Sequence, residues 1–124
     1  MTKVRSEHLE QKEVVQYFRK TWPDLKLCLW ACPSGFVAGG KNKFAIINKL
    51  KAEGWNTGVA DLQLSIPRHG YHGLFIEMKK ANGKDSDLSA DQVDFIAMMR
   101  AQGYRAEWCA GAEEAIRLIN EYME

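Results

Sequence analysis

Apolar positions along this chain alternate between a helical and an extended period, and punctuating residues mark where one gives way to the other. From Ser6 to Lys20, Val14, Val15 and Phe18 recur at helical spacing and Pro23 follows shortly after, which predicts a helix. Lys26 to Cys32 is a short, mostly apolar run closed by Pro33-Ser34-Gly35, the pattern of a strand. Lys41 to Glu53 carries Phe44, Ile47 and Leu50 as an apolar stripe and meets Gly54, a plausible helix stop. Val59 to Ile66 and Tyr71 to Lys79 flank Pro67-Arg68-His69-Gly70, whose breaker residues predict a hairpin.

Beyond the hairpin, residues 81–87 read as a polar, flexible connection. Leu88 to Val93 then holds a capping box, with Ser89 as N-cap, Gln92 three residues later, and Leu88 and Val93 placed as a hydrophobic staple. The helix so opened runs to about Gln102 and stops at Gly103. Tyr104, Ala106 and Trp108 alternate with Arg105 and Glu107, a strand, and Ala115, Ile116 and Ile119 mark one face of a last helix, Ala112 to Tyr122. The order is α-β-α-β-β-α-β-α: an α/β fold with a mixed central sheet flanked by helices, the helix between Lys79 and Tyr104 forming a crossover.

The length of 124 residues suits one core, so residues 1–124 are expected to form a single domain. With 46% apolar and 27% charged residues the chain lies outside the disordered range. No apolar run is long enough for a membrane span and the N-terminus is too polar for a secretion signal, so a cytoplasmic location is expected. Cys28, Cys32 and Cys109 are odd in number and irregular in spacing, which fits a reducing compartment and small packing residues. A net charge of +1 leaves nucleic acid open, because the placement of charge matters as much as its sum.

Placement is where the chemistry enters. Leu74, Ile76 and Met78 share one strand face and are apolar, whereas Phe75, Glu77 and Lys79 share the other. Glu77 and Lys79 thus lie about 6.6 to 6.8 Å apart on one face. A hairpin centred near Arg68 or His69 pairs residues whose numbers sum to about 137 or 138, and Asp61 then faces Glu77. Their Cβ atoms would be about 5 Å apart, where like charges destabilise a sheet. A hard cation, Mg²⁺ or Mn²⁺, would offset that repulsion, since it prefers oxygen ligands and keeps positions for water and phosphate. On the first helix, Glu7 and Gln11 project near the direction of Val14 and Phe18, so a carboxylate points to the core side, an expensive placement without compensation.

An E-x-K tripeptide by itself is ordinarily an exposed strand pair; here the acid opposite it, the glycine at Gly58, the apolar reverse face and Glu7 coincide. Lys41, Lys43, Lys49 and Lys51 are offset by one acid, Glu53, and are either a solvated helix face or phosphate contacts. Arg68, His69 and His72 would touch phosphate if the hairpin turn faces DNA, and Lys80 adjoins Lys79. Trp55, beside two glycine-containing turns, is the tryptophan placed to act as a wedge. Zinc has little support: Cys28 and Cys32 would lie about 13 Å apart along an extended strand.

Gly58-Val59-Ala60-Asp61-Leu62, then Ile76-Glu77-Met78-Lys79, then Leu88-Ser89-Ala90-Asp91-Gln92 resemble the signature of the VRR-NUC nucleases, a branch of the PD-(D/E)XK superfamily. The resemblance runs from Ser6-Glu7 through Gly111; the one departure is Ala60, where the family often has proline. It implies a restriction-endonuclease-like fold and a structure-specific endonuclease for branched DNA, such as four-way junctions or flaps, of the stand-alone phage and bacterial type. It further implies that Asp61, Glu77 and the Met78 carbonyl hold the metal, and that Lys79 orients or deprotonates the attacking water and stabilises charge on the phosphate. Glu7 would complete the site directly or through a water, with Glu10 the other candidate on that helix, and Gln92 would position the lysine or the phosphate.

Two alternatives stay open at this point: a junction-binding module that keeps the fold without cleaving, and a nuclease acting on RNA. A homodimer is also expected, because cutting both strands of a four-way junction needs two sites. Some members resembled in this way are domain-swapped dimers, and Pro33 to Gly40 is a conceivable exchange loop.

Overall fold

The computed structural model describes residues 3–32 and 40–124. The proposed exchange loop therefore lies outside the described residues, apart from Gly40. Four helices and four strands follow in the expected order: α1 (Glu7–Thr21), β1 (Leu29–Ala31), α2 (Lys43–Ala52), β2 (Leu62–Leu64), β3 (Leu74–Lys79), α3 (Ala90–Ala101), β4 (Arg105–Ala110) and α4 (Ala112–Met123). The sheet order is β1-β2-β3-β4, with antiparallel pairing from β1 to β3. β3 and β4 are parallel, as the crossover through α3 requires.

The alternation of β3 decides what each face meets. Leu74, Ile76 and Met78 pack beneath α1 and α4, in a core completed by Val14, Phe18, Ala115, Ile119 and Tyr122. Phe75 joins Ala60, Ile96 and Ala106 under α3. β3 is thus buried along its whole length, and its polar residues are covered rather than solvated. Each large side chain so enclosed contributes about 1.5–3 kcal/mol.

Register is set by a local irregularity. Leu62, Gln63 and Leu64 pair with Ile76, Phe75 and Leu74. At the tip, Arg68 pairs with Tyr71 around His69 and Gly70, both at positive φ (52° and 82°), the signs a tight two-residue hairpin turn demands. Between these pairings, residues 65–67 stand against residues 72–73. One residue is extra on the first strand, as in a bulge, at a stretch containing Pro67, which has no N–H to pair. Without that insertion the turn would set Asp61 opposite Met78, and a one-residue slip exchanges faces.

Three sequence expectations are revised. Lys26 to Cys28 are not strand: Pro23 opens a 3₁₀ helix, Pro23–Cys28, because its fixed φ and missing N–H suit a helix start, and the strand begins at Leu29. The apolar stripe on α2 is only partly covered among the described residues: Ile47 and Leu50 are half-buried and Phe44 is 76% exposed. The connection after β3 is a built double turn, with Gly83 N–H donating to the Lys80 carbonyl and a 3₁₀ turn, Asp85–Asp87, stapled by the Lys84 N–H to Asp87 Oδ2 bond. No described helix is long and apolar enough to cross a membrane.

Candidate active site

The C-terminal end of β3, the approach to β2 and the first turn of α3 meet at one point. Glu77 (3% exposed) and Lys79 (8%) project there from β3, on the α3 side of the sheet. Asp61, immediately before β2, continues the Leu62–Ile76 pairing to face Glu77. Its Oδ2 accepts the Met78 N–H at 2.8 Å. A residue's N–H and C=O point to the same side of an extended strand, so the Met78 carbonyl also faces the Asp61 edge.

The Asp61 loop is held by α3. Gly58 has φ +85°, and a Cβ there would stand 2.5 Å from the Asp91 carbonyl carbon, so only glycine permits the approach. Thr57 Oγ1 donates to Asp91 Oδ2 at 2.6 Å and Ala60 is buried beneath Ile96. Ala60 in place of a proline leaves this docking intact.

Gln92 links the cap of α3 to the polar cluster. Its N–H donates to the N-cap Ser89 Oγ, while its Oε1 accepts the Ser89 N–H at 2.9 Å, the reciprocal capping box. The same Oε1 accepts from Lys79 Nζ at 3.1 Å, which turns Nε2 toward Glu77 Oε2, 3.3 Å away. Lys79 Nζ lies 3.8 Å from that same carboxylate oxygen.

The second oxygen, Glu77 Oε1, is buried and has no hydrogen-bond partner among the described residues. Burial first, and then the neighbouring charge of Asp61 and a hydrogen bond shared with it, push the Glu77 carboxyl up to about 9, with Lys79 opposing. An orphaned buried carboxylate oxygen beside a second carboxylate suits a hard cation with oxygen ligands. Asp61, Glu77 and the Met78 carbonyl are the residues that would hold it. Among the described residues no three His, Cys, Asp or Glu side chains converge on one point, so water would complete the shell.

The first helix divides its acids differently from expectation. Glu7 does not point into the core; it is exposed, because as the first residue of α1 it overhangs the end of the sheet. It lines a cleft with Lys79 and adds to the negative field at Glu77. Glu10, 4% exposed, is the buried one. Both its oxygens accept from Arg5, at 2.9 and 3.0 Å, and Oε1 also takes the Ala112 N–H at the start of α4. Glu10 is therefore engaged away from Glu77.

The basic residues also separate. Lys80 lines the cleft with Lys79, whereas Arg68 sits in the hairpin turn, at the opposite end of β3. Lys41, Lys43, Lys49 and Lys51 are exposed on or beside α2, with Lys49 paired to Glu53 at 3.3 Å. His72 packs edge-on against Tyr104, and Trp55 is half-buried, its backbone N–H donating to the Leu50 carbonyl. Sequence reasoning missed Asn82 and Lys84, which share the Lys79 cleft. The signal was Gly83: a Cβ there would lie 2.8 Å from Lys79 Cβ, so a tight turn must fold against the lysine.

Comparison with known proteins bears on the family and the fold. The family model of the VRR-NUC domain matches residues 3–113. A solved structure described as a VRR_NUC domain protein is similar at a TM-score of 0.80 and 26% identity, covering 98% of this chain and 90% of that one. No curated protein matches the chain.

Proposed function

The chain belongs to the VRR-NUC domain family and has its nuclease fold, and from that premise we propose that it is a Mg²⁺- or Mn²⁺-dependent endonuclease that hydrolyses phosphodiester bonds of branched DNA. The observation that carries this reading is the orphaned Glu77 Oε1 beside Asp61, on the same strand face as Lys79. A degenerate, binding-only copy has no use for a buried glutamate set beside a second, half-buried acid.

When bound, the cation would polarise the phosphate and lower the pKa of a water. Everything else falls to the chain. Glu77 presents its oxygens from β3, and Asp61 from the residue just before β2, whose register against β3 is fixed by the sheet. Lys79 holds its ammonium against Gln92 Oε1, ready to orient the attacking water and to balance charge growing on the phosphate. Gln92 fixes the rotamers of both Lys79 and Glu77, so the pair is preorganised rather than searching. Glu7, at the cleft mouth, would bind the cation's water shell.

The DNA contacts assigned to this reading are Lys80 at the cleft and, farther out, Lys41, Lys43, Lys49, Lys51 and Arg68. Two copies would supply the two sites that a four-way junction requires. The test is a side-by-side assay of linear, nicked, flapped and four-way DNA with Mn²⁺ or Mg²⁺. Branched forms should be cut fastest, and Lys79→Ala should bind but cut about 100-fold or more slowly. Undiminished cleavage by Lys79→Ala would remove the lysine from the mechanism, and binding of all forms with cutting of none would leave a binding module.

A further inference from the structure

Three lysines beside the catalytic one have no ion-pair partner among the described residues: Lys3, Lys80 and Lys84. All three are exposed, and they line two open clefts that share Lys80. The first, about 430 Å³, is lined by Lys79, Lys80, Asn82 and Lys84 and by the acids Glu7 and Asp87, so its lysines outnumber its acids. The second, about 440 Å³, continues past the start of α1, between Lys80 and Lys3. The acids Glu10 and Glu13 hold Arg5, and Asp87, which lines the first cleft, accepts the Lys84 backbone N–H and keeps its charge. Glu7 stands in the first cleft on the Lys79 side.

The turn that carries Asn82 and Lys84 is tied to the catalytic lysine. Gly83 packs against the Lys79 side chain and hydrogen-bonds to Lys80, and Gly111 N–H donates to the Lys79 carbonyl from the other side. Lys80 and Lys84, carried on a backbone held this way, keep their Cα positions constant relative to Lys79, as a substrate-positioning surface must. A row of unpaired ammonium groups in an open groove fits a polyanion, and the phosphates of a strand are the polyanion that the proposed chemistry brings here.

We propose that the two clefts form one track for the DNA backbone flanking the cleaved bond, with Asn82 and Lys84 next to the reacting phosphate, Lys80 at the junction and Lys3 at the far end. The proposal rests on the nuclease reading and adds to it the path of the strand. The track acts by neutralising phosphates, so it contributes to affinity and salt dependence without selecting sequence.

The experiment is equilibrium binding of a fluorescently labelled DNA duplex to the full chain in EDTA, across a series of salt concentrations, with cleavage measured separately in Mg²⁺. Lys84→Gln and Lys3→Gln should each weaken binding several-fold and lower the slope of log K against log salt by about 0.9, as the loss of one phosphate contact requires. Lys20→Gln, in the last turn of α1 and about 20 Å along the helix from Glu7, should change neither slope nor cleavage. Slopes for Lys84→Gln and Lys3→Gln equal to that of Lys20→Gln would overturn the track, even if the protein cuts DNA normally. A normal loss of slope in a protein that binds but never cuts would support the track and sink the nuclease reading instead. Failure of the unaltered chain to bind DNA would overturn both.

Discussion

Two buried glutamates, Glu10 and Glu77, have nearly equal exposure and opposite chemistry. Glu10 is satisfied on every side: Arg5 chelates both oxygens and α4 offers a backbone N–H. The Arg5 bond, aided by that N–H, holds its carboxyl below the usual range despite burial. Glu77 has a long bond from Gln92 and a lysine 3.8 Å away, and burial, followed by the charge and hydrogen bonding of Asp61, keeps its proton on instead of neutralising its charge. A structural buried charge is neutralised where it stands. Glu77 is left incomplete, and in the proposed mechanism a cation completes it.

The sharpest way to test the contrast is Glu77→Gln, which should separate activity from stability. Cleavage should fall by at least about 100-fold, since a proposed metal oxygen is lost. Metal-free stability at pH 8 should rise. The folded state holds the Glu77 proton up to about 9, against an ordinary 4.5, so folding is favoured at low pH. That stability drains away as pH rises through this window, at a limiting slope of about 1.4 kcal/mol per pH unit. Glutamine does not titrate, so thermal melts in EDTA from pH 5 to 9 should be flatter for the variant. A lower midpoint at pH 8 than the parent would break the comparison.

Glu10→Ala should do the reverse. Losing charge-assisted bonds that join α1 to α4 should cost about 2–3 kcal/mol at pH 7, read as a lower urea midpoint, while the folded variant still cuts DNA within a few-fold of the parent. Because its folded pKa is depressed, the Glu10 contribution is present above the ordinary 4.5 and is lost as pH falls below it. Parent and variant midpoints should therefore converge on acidification. A gap that stays constant to pH 3 would show that packing, and not the ion pair, supplies the difference.

The contrast also explains what could be read in advance. The two-residue period of β3 was enough to set Glu77 and Lys79 on one face, and the capping box was enough to start α3 at Ala90, because both are local rules. The pairing of Asp61 with Glu77 was legible only because two errors cancelled: the turn centres one half-step later than the expected position, and the extra residue between Leu64 and Arg68 restores the sum. Which glutamate of α1 would be buried was not legible. Helical angle favoured Glu7, but burial depended on Arg5 folding back and on α4 arriving from the far end of the chain to supply a donor. The exposure of Phe44 on α2 was equally hidden, since periodicity reveals an apolar stripe and not how far it is covered.

The smallest expected effect lies at the residue that joins cap and site. Ser89→Ala removes the hydroxyl acceptor for the Gln92 N–H and should cost about 1 kcal/mol, with cleavage unchanged, because Gln92 Oε1 can still take the Ser89 backbone N–H and Lys79. Gln92→Ala removes a bond to the cap and both contacts to the charged pair. Its stability loss should be similar, yet cleavage should drop about 10-fold as Lys79 and Glu77 lose the group that fixes them. Measuring single-turnover cleavage for both variants separates capping from positioning. Equal activities would mean that Gln92 is, like Glu10, a purely structural partner, and the incomplete site would then extend no further than Asp61, Glu77 and Lys79.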